Sequence, residues 1–310
     1  MRTVFLGTSE FAATVLGRLA SGPHRPALVI TRPDRPSGRG RKLTAPPVAA
    51  AACGLGLPVE QPERVNDSDT QAAIEQIHAA TGGELVLVVC AFGALIKEPL
   101  LSAHPLLNVH PSLLPRWRGA APIERAIMAG DSETGVSIMC LTAGLDSGPV
   151  CLTGAEAIGP SDTYGSLAPR LAGLGGELLV AALDGWERGE PPPFAAQDDA
   201  LATYAEKIGP EDRLLDPGHP AIELERAVRA LHPHIGARLA LVDGTALGVC
   251  RARALPDRAQ PKTPGALADA GGRLLCGTSA GALELLEVQP PGGRPMDAAA
   301  YLRGHDLSRT

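Results

Sequence analysis

The sequence lacks several features that would place it in a special class of protein. Its six cysteines include no Cys-x-x-Cys pair, which argues against a zinc site and a disulfide framework and favours buried, reduced thiols. The longest apolar run, Leu85 to Ile96, is about half the length that a bilayer span requires. The amino terminus, MRTVFLGTSE, reaches polar residues too early for a signal peptide. We therefore expect a cytoplasmic protein without a membrane segment.

Positive charge is also scarce. The formal net charge is -6, so the chain is not one that coats nucleic acid indiscriminately, and any such contact needs a local basic patch. One patch is present, because the segment Arg32 to Lys42 has five basic residues and one acidic residue, with glycines at 38 and 40. From composition alone, this loop fits a phosphate-binding loop and a solvated charged loop equally well.

The first half of the chain alternates strand and helix patterns. Strands are predicted at 3–7, 27–31, 85–90, 106–110 and 136–141, and helices at 11–20 and 48–54. This alternation predicts an α/β fold for residues 1–189, with a Rossmann-like, mostly parallel sheet and a ligand site at the carboxyl ends of the strands. The turn after the first strand lacks the full Gly-x-Gly-x-x-Gly fingerprint, so a dinucleotide site is only weakly supported.

The second half has a different pattern. Residues 190–206 contain three consecutive prolines and an acidic pair, which is typical of a linker between domains. A helix is predicted at 221–231, and short strands are predicted at 239–242, 246–253, 273–276 and 282–288. Strands of this length and spacing predict a small antiparallel, OB-like barrel for residues 207–310.

The densest group of chemically useful side chains lies between Leu107 and Pro122. Asn108 and His110 are two residues apart near the end of a predicted strand, so their side chains share one face. An amide and an imidazole side by side can donate two hydrogen bonds to one developing oxyanion, and each such donor contributes roughly two to three orders of magnitude to a rate. Taken alone, the pair fits a polar strand end with a capped histidine better than a catalytic site.

A carboxylate follows the next predicted strand. Asp146 lies in the glycine-containing segment Thr142 to Pro149, and glycine permits turns that aim a side chain at a neighbouring strand. A carboxylate near an imidazole orients the ring and favours its protonated form. The spacing also fits a simple turn aspartate, so the catalytic interpretation requires Asp146 to meet Asn108 and His110 around one substrate carbonyl.

Together these segments resemble the folate-dependent formyltransferases. The resemblance is carried by Asn108-x-His110, by the following Ser112-Leu113-Leu114-Pro115 and by the Asp146 loop. Within that superfamily the chain is most similar to the enzymes that act on methionyl-tRNA, through segments 33–43, 116–123, 203–208 and 294–304. It departs from their pattern at His232-Pro233-His234-Ile235 and at Phe92, where many relatives have tyrosine. A replaced structural segment explains His232 and His234 better than a metal site does.

The resemblance implies a reaction and a set of site residues. A formyl group would pass from 10-formyltetrahydrofolate to the α-amino group of methionyl initiator tRNA, for translation initiation, in a monomer that needs no metal. The implied catalytic residues are Asn108, His110 and Asp146, with Asn108 and protonated His110 stabilising an oxyanion and Asp146 positioning His110. The implied folate-binding residues are Cys90, Ala91, Phe92, Gly93, Ser112, Leu113, Leu114, Pro115, Gly144 and Leu145. The implied tRNA-binding residues are Arg35, Arg39, Arg41 and Lys42, with Arg39 as the main contact, and the OB-like domain would support the tRNA.

Two other functions remain open at this point. A formyl-folate hydrolase, or a formyltransferase that acts on a small amine, would keep the three catalytic residues but would not need the arginine-rich insertion. A catalytically inactive tRNA- or nucleotide-binding module would not need Asn108, His110 and Asp146 together.

Overall fold

The computed structural model describes residues 1–37, 40, 42–80, 82, 85–241, 244–256, 261, 263–305 and 307. The chain forms two compact units. The first unit comprises Met1–Gly119, Glu133–Ala157 and Ala168–Tyr204, and the second comprises Ala120–Ser132, Ile158–Leu167 and Ala205–Thr310.

The described residues contain strands and helices throughout. The strands are β1 (Arg2–Gly7), β2 (Pro26–Ile30), β3 (Arg35–Ser37), β4 (Lys42–Thr44), β5 (Val59–Glu60), β6 (Leu85–Cys90), β7 (Leu106–His110), β8 (Arg118–Gly119), β9 (Glu133–Cys140), β10 (Val150–Ala157), β11 (Tyr204–Ala205), β12 (Leu214–Leu215), β13 (Ala237–Ala240), β14 (Ala246–Leu255), β15 (Leu267–Asp269), β16 (Leu274–Gly277), β17 (Ala282–Gln289) and β18 (Met296–Asp297). The helices are α1 (Glu10–Ala20), α2 (Pro47–Gly54), α3 (Ser68–Ala80), α4 (Leu100–Ala103), α5 (Pro122–Ala129), α6 (Tyr164–Glu187), α7 (Ala221–Leu231) and α8 (Ala298–Gly304).

The first unit contains a sheet in the order β10-β9-β7-β6-β1-β2-β5. Strands β7, β6, β1, β2 and β5 are parallel to one another, whereas β9 runs antiparallel to both of its neighbours, β7 and β10. The predicted α/β fold with a mostly parallel sheet is therefore confirmed. The antiparallel direction of β9 determines where the loop after it begins. Because Cys140 pairs with Leu107, the loop after β9 starts at the amino end of β7 and must run back along β7 to reach its carboxyl end.

The sequence explains why β6 is buried and how β1 turns into α1 at the centre of this sheet. All six residues of β6 are buried, as expected of an aliphatic strand covered on both faces. The turn from β1 into α1 is tight, since a Cβ added at Gly7 would lie 2.7 Å from Cε1 of Phe5 and 3.0 Å from the Cys90 carbonyl oxygen. Helix α1 then begins after Ser9, whose side chain accepts a hydrogen bond from the amide of Ala12 and so caps the helix.

Helix α6 has 24 residues and, in the described residues, is the one helix long and apolar enough to cross a bilayer. Half of its most apolar window is nevertheless buried inside the protein. At Gly175 the helix packs closely on the sheet, because an added Cβ would lie 2.9 Å from Val109 and 3.3 Å from Val136. These contacts are those of a core helix.

The second unit is a curled antiparallel sheet in the order β12-β13-β14-β17-β16-β15, with β18 paired to β17 and β12 parallel to β13. It forms a half-barrel, which confirms the predicted small β-rich fold. One face of α7 lies over the sheet, and its Leu224, Val228 and Leu231 join the apolar core. Helix α5 packs against α7, and an added Cβ at Gly130 would lie 2.2 Å from the guanidinium carbon of Arg226.

The thiols fit the expectation only in part. Cys90 and Cys276 are buried, and burial raises the pKa of the Cys276 thiol to about 11. Cys53 is exposed, so the buried-thiol interpretation is wrong there, because Cys53 lies on the outer side of the short helix α2.

Candidate active site

Two polar side chains of the candidate site lie on strand β7. Asn108 pairs with Val89 of β6 and with Met139 of β9, so it sits inside the sheet. His110 is the last residue of the strand. Their exposed fractions are 7% and 4%, which means that both polar groups need partners within the protein.

The Asp146 carboxylate is the partner that joins them. Its Oδ1 lies 3.5 Å from Nδ2 of Asn108, and its Oδ2 lies 3.7 Å from Nδ1 of His110. The main-chain N–H of Gly119 donates to Oδ2 at 2.9 Å, which is the shortest of the three contacts. The structure thus brings together the three side chains that the sequence pattern singled out, although they are 36 and 38 residues apart along the chain.

The second ring nitrogen of His110 is held by the main chain. Nε2 lies 2.9 Å from the carbonyl oxygen of Trp117. Because a carbonyl oxygen only accepts, Nε2 carries the proton and Nδ1 faces Asp146. Trp117 is in turn covered by the Arg116 guanidinium, 4.4 Å from the centre of its ring.

Backbone strain is concentrated around this site. Among the described residues, three that are not glycine have a positive φ angle: Ala91 at 41°, Trp117 at 62° and Asp146 at 44°. Asp146 and Trp117 both contact His110, and Ala91 directly follows β6, the neighbour of β7. Such conformations persist only where surrounding contacts fix them, and they cluster at functional sites.

The predicted folate residues after β6 differ in their accessibility. Ala91 and Gly93 are exposed, with Gly93 at a φ angle of 71°. Cys90 is fully buried, and the Phe92 side chain lies in the apolar core at 3% exposure. The Phe92 carbonyl oxygen accepts a hydrogen bond from the Thr8 hydroxyl at 2.7 Å. A ligand bound at the surface after β6 would therefore contact mainly Ala91, Gly93 and main-chain atoms.

The predicted folate residues after β7 form a braced turn. The buried Ser112 hydroxyl donates to the Arg116 carbonyl oxygen at 2.6 Å. Ser137 of β9 links to the same turn, since its hydroxyl donates to the Ser112 carbonyl oxygen at 2.7 Å and accepts from the Leu114 N–H at 3.1 Å. The neighbouring Leu113, Leu114 and Pro115 are half-buried.

The last predicted folate residues lie on the loop after β9. Gly144 and Leu145 are exposed, and Leu145 presents 62% of its surface. Burial raises the pKa of the Cys140 thiol at the start of this loop, and it also raises the pKa of the Cys90 thiol. A thiolate nucleophile is therefore disfavoured at this site.

The sequence analysis missed a segment that contacts the site. Within residues 195–203, the Gln197 amide group donates to the carbonyl oxygens of Asp146 and Gly148, and Thr203 contacts the turn that contains Trp117. This segment was predicted as part of a linker. No pattern in the sequence distinguishes Gln197, although the three prolines before it do predict an extended chain.

The predicted tRNA residues lie in the insertion after β2. Arg35 and Lys42 are exposed at the two ends of the antiparallel ribbon formed by β3 and β4. The base of the ribbon is anchored by Gln61, whose side-chain amide donates to Asp34 at 2.8 Å and to the Arg32 carbonyl oxygen at 3.0 Å. Arg39 and Arg41 lie outside the described residues.

In the part of the chain that the structure describes, two clusters have the composition of metal ligands, and neither includes a residue of this site. They are Glu75, His78 and His104, and His24, Asp184 and Glu187. Ion pairs account for contacts in both, such as His104 to Glu75 at 2.9 Å and His24 to Asp184 at 2.8 Å. His234 pairs with Glu124 at 3.0 Å and stacks on Tyr164, so it makes structural contacts within the second unit.

Comparison with known families identifies the class of this protein. Residues 1–183 match the formyl transferase family model, and residues 207–306 match the model of the formyl transferase C-terminal domain. The chain therefore belongs to the formyl transferase family.

Its relatives narrow the class further. The chain is 44% identical to a methionyl-tRNA formyltransferase from Halorhodospira halophila, over 99% of this chain and 97% of that protein. It is 42% identical to a methionyl-tRNA formyltransferase from Methylococcus capsulatus, over 99% of this chain and 98% of that protein. These relatives confirm the resemblance that the sequence motifs indicated.

Solved structures share the fold. An N-formyltransferase from Helicobacter canadensis, in complex with folinic acid and dTDP-3-aminofucose, has a TM-score of 0.66 at 14% identity over 91% of this chain and 98% of that chain. HypX from Aquifex aeolicus in complex with tetrahydrofolic acid has a TM-score of 0.65 at 16% identity. The match covers 97% of this chain but 47% of HypX, so this protein spans about half the length of HypX.

Proposed function

We propose that this protein transfers the formyl group of 10-formyltetrahydrofolate to the α-amino group of methionyl initiator tRNA. Full-length identity of 44% and 42% to methionyl-tRNA formyltransferases supports this substrate pair. The observation that carries the chemistry is the convergence of Asn108, His110 and Asp146 within 3.5 to 3.7 Å.

The geometry fits attack by an amine on a formyl carbon. The neutral amine nitrogen bonds to the formyl carbon and the carbonyl oxygen takes the negative charge. The bond between that carbon and the folate nitrogen then breaks, and the leaving nitrogen takes up the proton that the attacking amine has lost. Nδ2 of Asn108 and Nδ1 of His110 both face the Asp146 carboxylate, at 3.5 and 3.7 Å, which is longer than an ordinary hydrogen bond. In this proposal the Asn108 N–H and, in the doubly protonated ring, the Nδ1–H of His110 are the donors to the oxyanion.

Asp146 has two roles in this proposal. Its carboxylate faces Nδ1 of His110 at 3.7 Å, while the Trp117 carbonyl oxygen holds Nε2 at 2.9 Å, so the negative charge lies beside the ring edge that is turned towards Asn108. The same carboxylate accepts the proton that leaves the attacking amine, through a water molecule. The Gly119 N–H keeps the carboxylate in place during both steps.

The folate is a co-substrate in this scheme, and its site is formed by two short segments and one loop of the first unit. The residues assigned to it are Cys90, Ala91, Phe92, Gly93, Ser112, Leu113, Leu114, Pro115, Gly144 and Leu145. Ala91, Gly93, Gly144 and Leu145 are exposed, which leaves them accessible to a ligand as this assignment requires. The chemistry requires no metal, since an amine attacks an activated formyl amide directly.

The tRNA assignments follow from charge. Arg35, Arg39, Arg41 and Lys42 in the insertion would contact the phosphate backbone, on a chain whose net charge is otherwise negative. We assign catalysis to residues 1–189 and tRNA support to residues 207–310, with 190–206 joining them. We further propose that the protein acts as a monomer in the cytoplasm.

The decisive assay for the substrate compares two acceptors. Purified protein with radiolabelled 10-formyltetrahydrofolate is given either methionyl initiator tRNA or water alone. Transfer of the label to the tRNA in the first reaction, without formate release in the second, supports the proposal. Formate release at the same rate in both reactions would instead identify a formyl-folate hydrolase. If the label reaches neither tRNA nor formate, the proposed reaction is excluded.

A further inference from the structure

Residues 195–203 bind to two loops of the first unit that carry the candidate site. Ala195 exchanges two main-chain hydrogen bonds with Val150, both at 2.9 Å, just after the Asp146 loop. At the other end of the segment, the Thr203 hydroxyl accepts from the Trp117 N–H at 2.9 Å and the Thr203 carbonyl oxygen accepts from the Arg118 N–H at 2.9 Å. The segment thus links the loop of Asp146 to the turn of Trp117.

Gln197 is the centre of this link. Its Nε2 donates to the Asp146 carbonyl oxygen at 2.8 Å and to the Gly148 carbonyl oxygen at 2.7 Å. Its Oε1 accepts from Nε of Arg118 at 2.9 Å. Since carbonyl oxygens only accept and a guanidinium only donates, these three partners fix the orientation of the amide uniquely.

Asp146 needs such support. Its φ angle of 44° is unfavourable for a residue with a side chain, so the loop would relax if nothing held it. The carboxylate is fixed from one side by the Gly119 N–H, and the main chain of the same residue is fixed by Gln197. Within the described part of the chain, Gln197 makes no hydrogen bond to Asn108 or His110, so it acts on them only through Asp146.

We propose that Gln197 is a positioning residue for formyl transfer, which holds the strained Asp146 main chain so that its carboxylate faces Asn108 and His110. This inference rests on the proposed function. It gives residues 195–203 a role in the reaction beyond joining two parts of the chain. A misplacement of about 1 Å at a catalytic group can cost roughly a factor of 100 in rate.

The test uses two variants and a matched control. Gln197→Met has a similar length but no polar atoms, whereas Gln197→Glu can still accept from Arg118 but cannot donate to either carbonyl. Asp199→Ala is the control, because Asp199 also binds Arg118, at 2.8 Å, yet its side chain is 83% exposed and makes no described contact with the Asp146 loop.

For both Gln197 variants we expect kcat to fall at least about 30-fold while KM for each substrate changes less than about 3-fold. Asp199→Ala should keep kcat within about 2-fold of the parent. The result for Gln197→Glu separates positioning from general support, because this variant keeps the Arg118 contact.

Three outcomes would overturn the inference: parental kcat in Gln197→Glu, an equal loss of kcat in Asp199→Ala, or a loss in the Gln197 variants that appears only in KM. If Gln197→Met does not fold, Gln197→Glu alone decides. Failure of the parent protein to formylate methionyl-tRNA would overturn the proposed function, whereas an active parent with unaffected Gln197 variants would overturn this inference alone.

Discussion

The carbonyl oxygen of Trp117 lies 2.9 Å from Nε2 of His110, and this contact fixes which nitrogen of the ring faces the Asp146 carboxylate. Trp117 can present its carbonyl there because its main chain has a φ angle of 62°. The strained turn and the orientation of the imidazole are therefore one structural feature.

The first prediction concerns the proton on that ring. Because Nε2 faces a pure acceptor, it should remain protonated in the folded protein whether or not Nδ1 also carries a proton. Nitrogen-15 NMR of the imidazole groups, with the His110 signals assigned by comparison with His110→Gln, checks this. Detection of a neutral His110 ring protonated at Nδ1 would show that the Trp117 contact is not made in solution.

The second prediction concerns the glycine that follows Asp146 and Ser147. A Cβ added at Gly148 would lie 1.9 Å from the Cys140 carbonyl oxygen, so Gly148→Ala must displace the loop. We expect a loss of stability of about 1–3 kcal/mol and a large fall in kcat. Gly173→Ala in helix α6 is the matched control, because an added Cβ there meets nothing within 4 Å, and it should raise stability by roughly 0.5–1 kcal/mol. Thermal unfolding and turnover rates of the two variants check this prediction. If Gly148→Ala were as stable and as active as Gly173→Ala, the loop would not be tightly packed.

The third prediction concerns pH and the second unit. Hydrogen bonds from Arg273 at 2.7 Å and Arg253 at 2.8 Å hold the pKa of the Glu284 carboxyl below its ordinary value of 4.5. A carboxyl whose pKa is lower in the folded state stabilises the fold above its ordinary pKa, and that contribution is lost as the pH falls through the lowered value.

Glu284→Gln should therefore lower the free energy of unfolding at pH 7. Both arginine side chains are partly exposed, which limits the expected loss to about 1–2 kcal/mol. The gap between parent and variant should begin to close below the ordinary pKa of 4.5 and should disappear as the pH falls through the lowered pKa of the folded state. Denaturant unfolding at several pH values gives this curve, and a gap that stays constant with pH would rule out the ionised carboxylate as its source.

The fourth prediction concerns the basic insertion. Arg39→Ala should lower kcat/KM for methionyl-tRNA about 10-fold, reduce the salt dependence of tRNA binding by about one unit of slope and leave folate binding intact. The control is Arg188→Ala, which removes an exposed arginine just after helix α6. Unchanged turnover of Arg39→Ala at limiting tRNA would contradict the assignment of this loop.

Some elements were predictable because local pattern decides them. The bounds of β6 and α7 match the predicted 85–90 and 221–231, since a continuous aliphatic run and a strongly amphipathic stretch each leave one favourable structure. Helix α6 was not predicted, because its glycines and Pro169 weaken the helical pattern and tertiary packing supplies what local preference lacks. The direction of β9 also could not be derived, since the chain between β7 and β9 permits either orientation.

In the candidate site, too, some features follow from local pattern and others only from the packed fold. Strand geometry places Asn108 and His110 on one face, and this is a local property. The approach of Asp146 depends on a loop that runs back along β7, and Gln197 reaches that loop from 51 residues further along the chain. Contacts of this kind are set by the packed fold, so the sequence pattern gave no signal for Gln197.

The most direct measurement is the single-turnover rate of formyl transfer to methionyl initiator tRNA by Asn108→Ala, with tRNA binding measured in parallel. If Asn108 donates to the oxyanion beside His110 and Asp146, the rate should fall about 100- to 1,000-fold while the Kd for tRNA stays within about 2-fold. A variant that transfers the formyl group at the parental rate would contradict the proposed site.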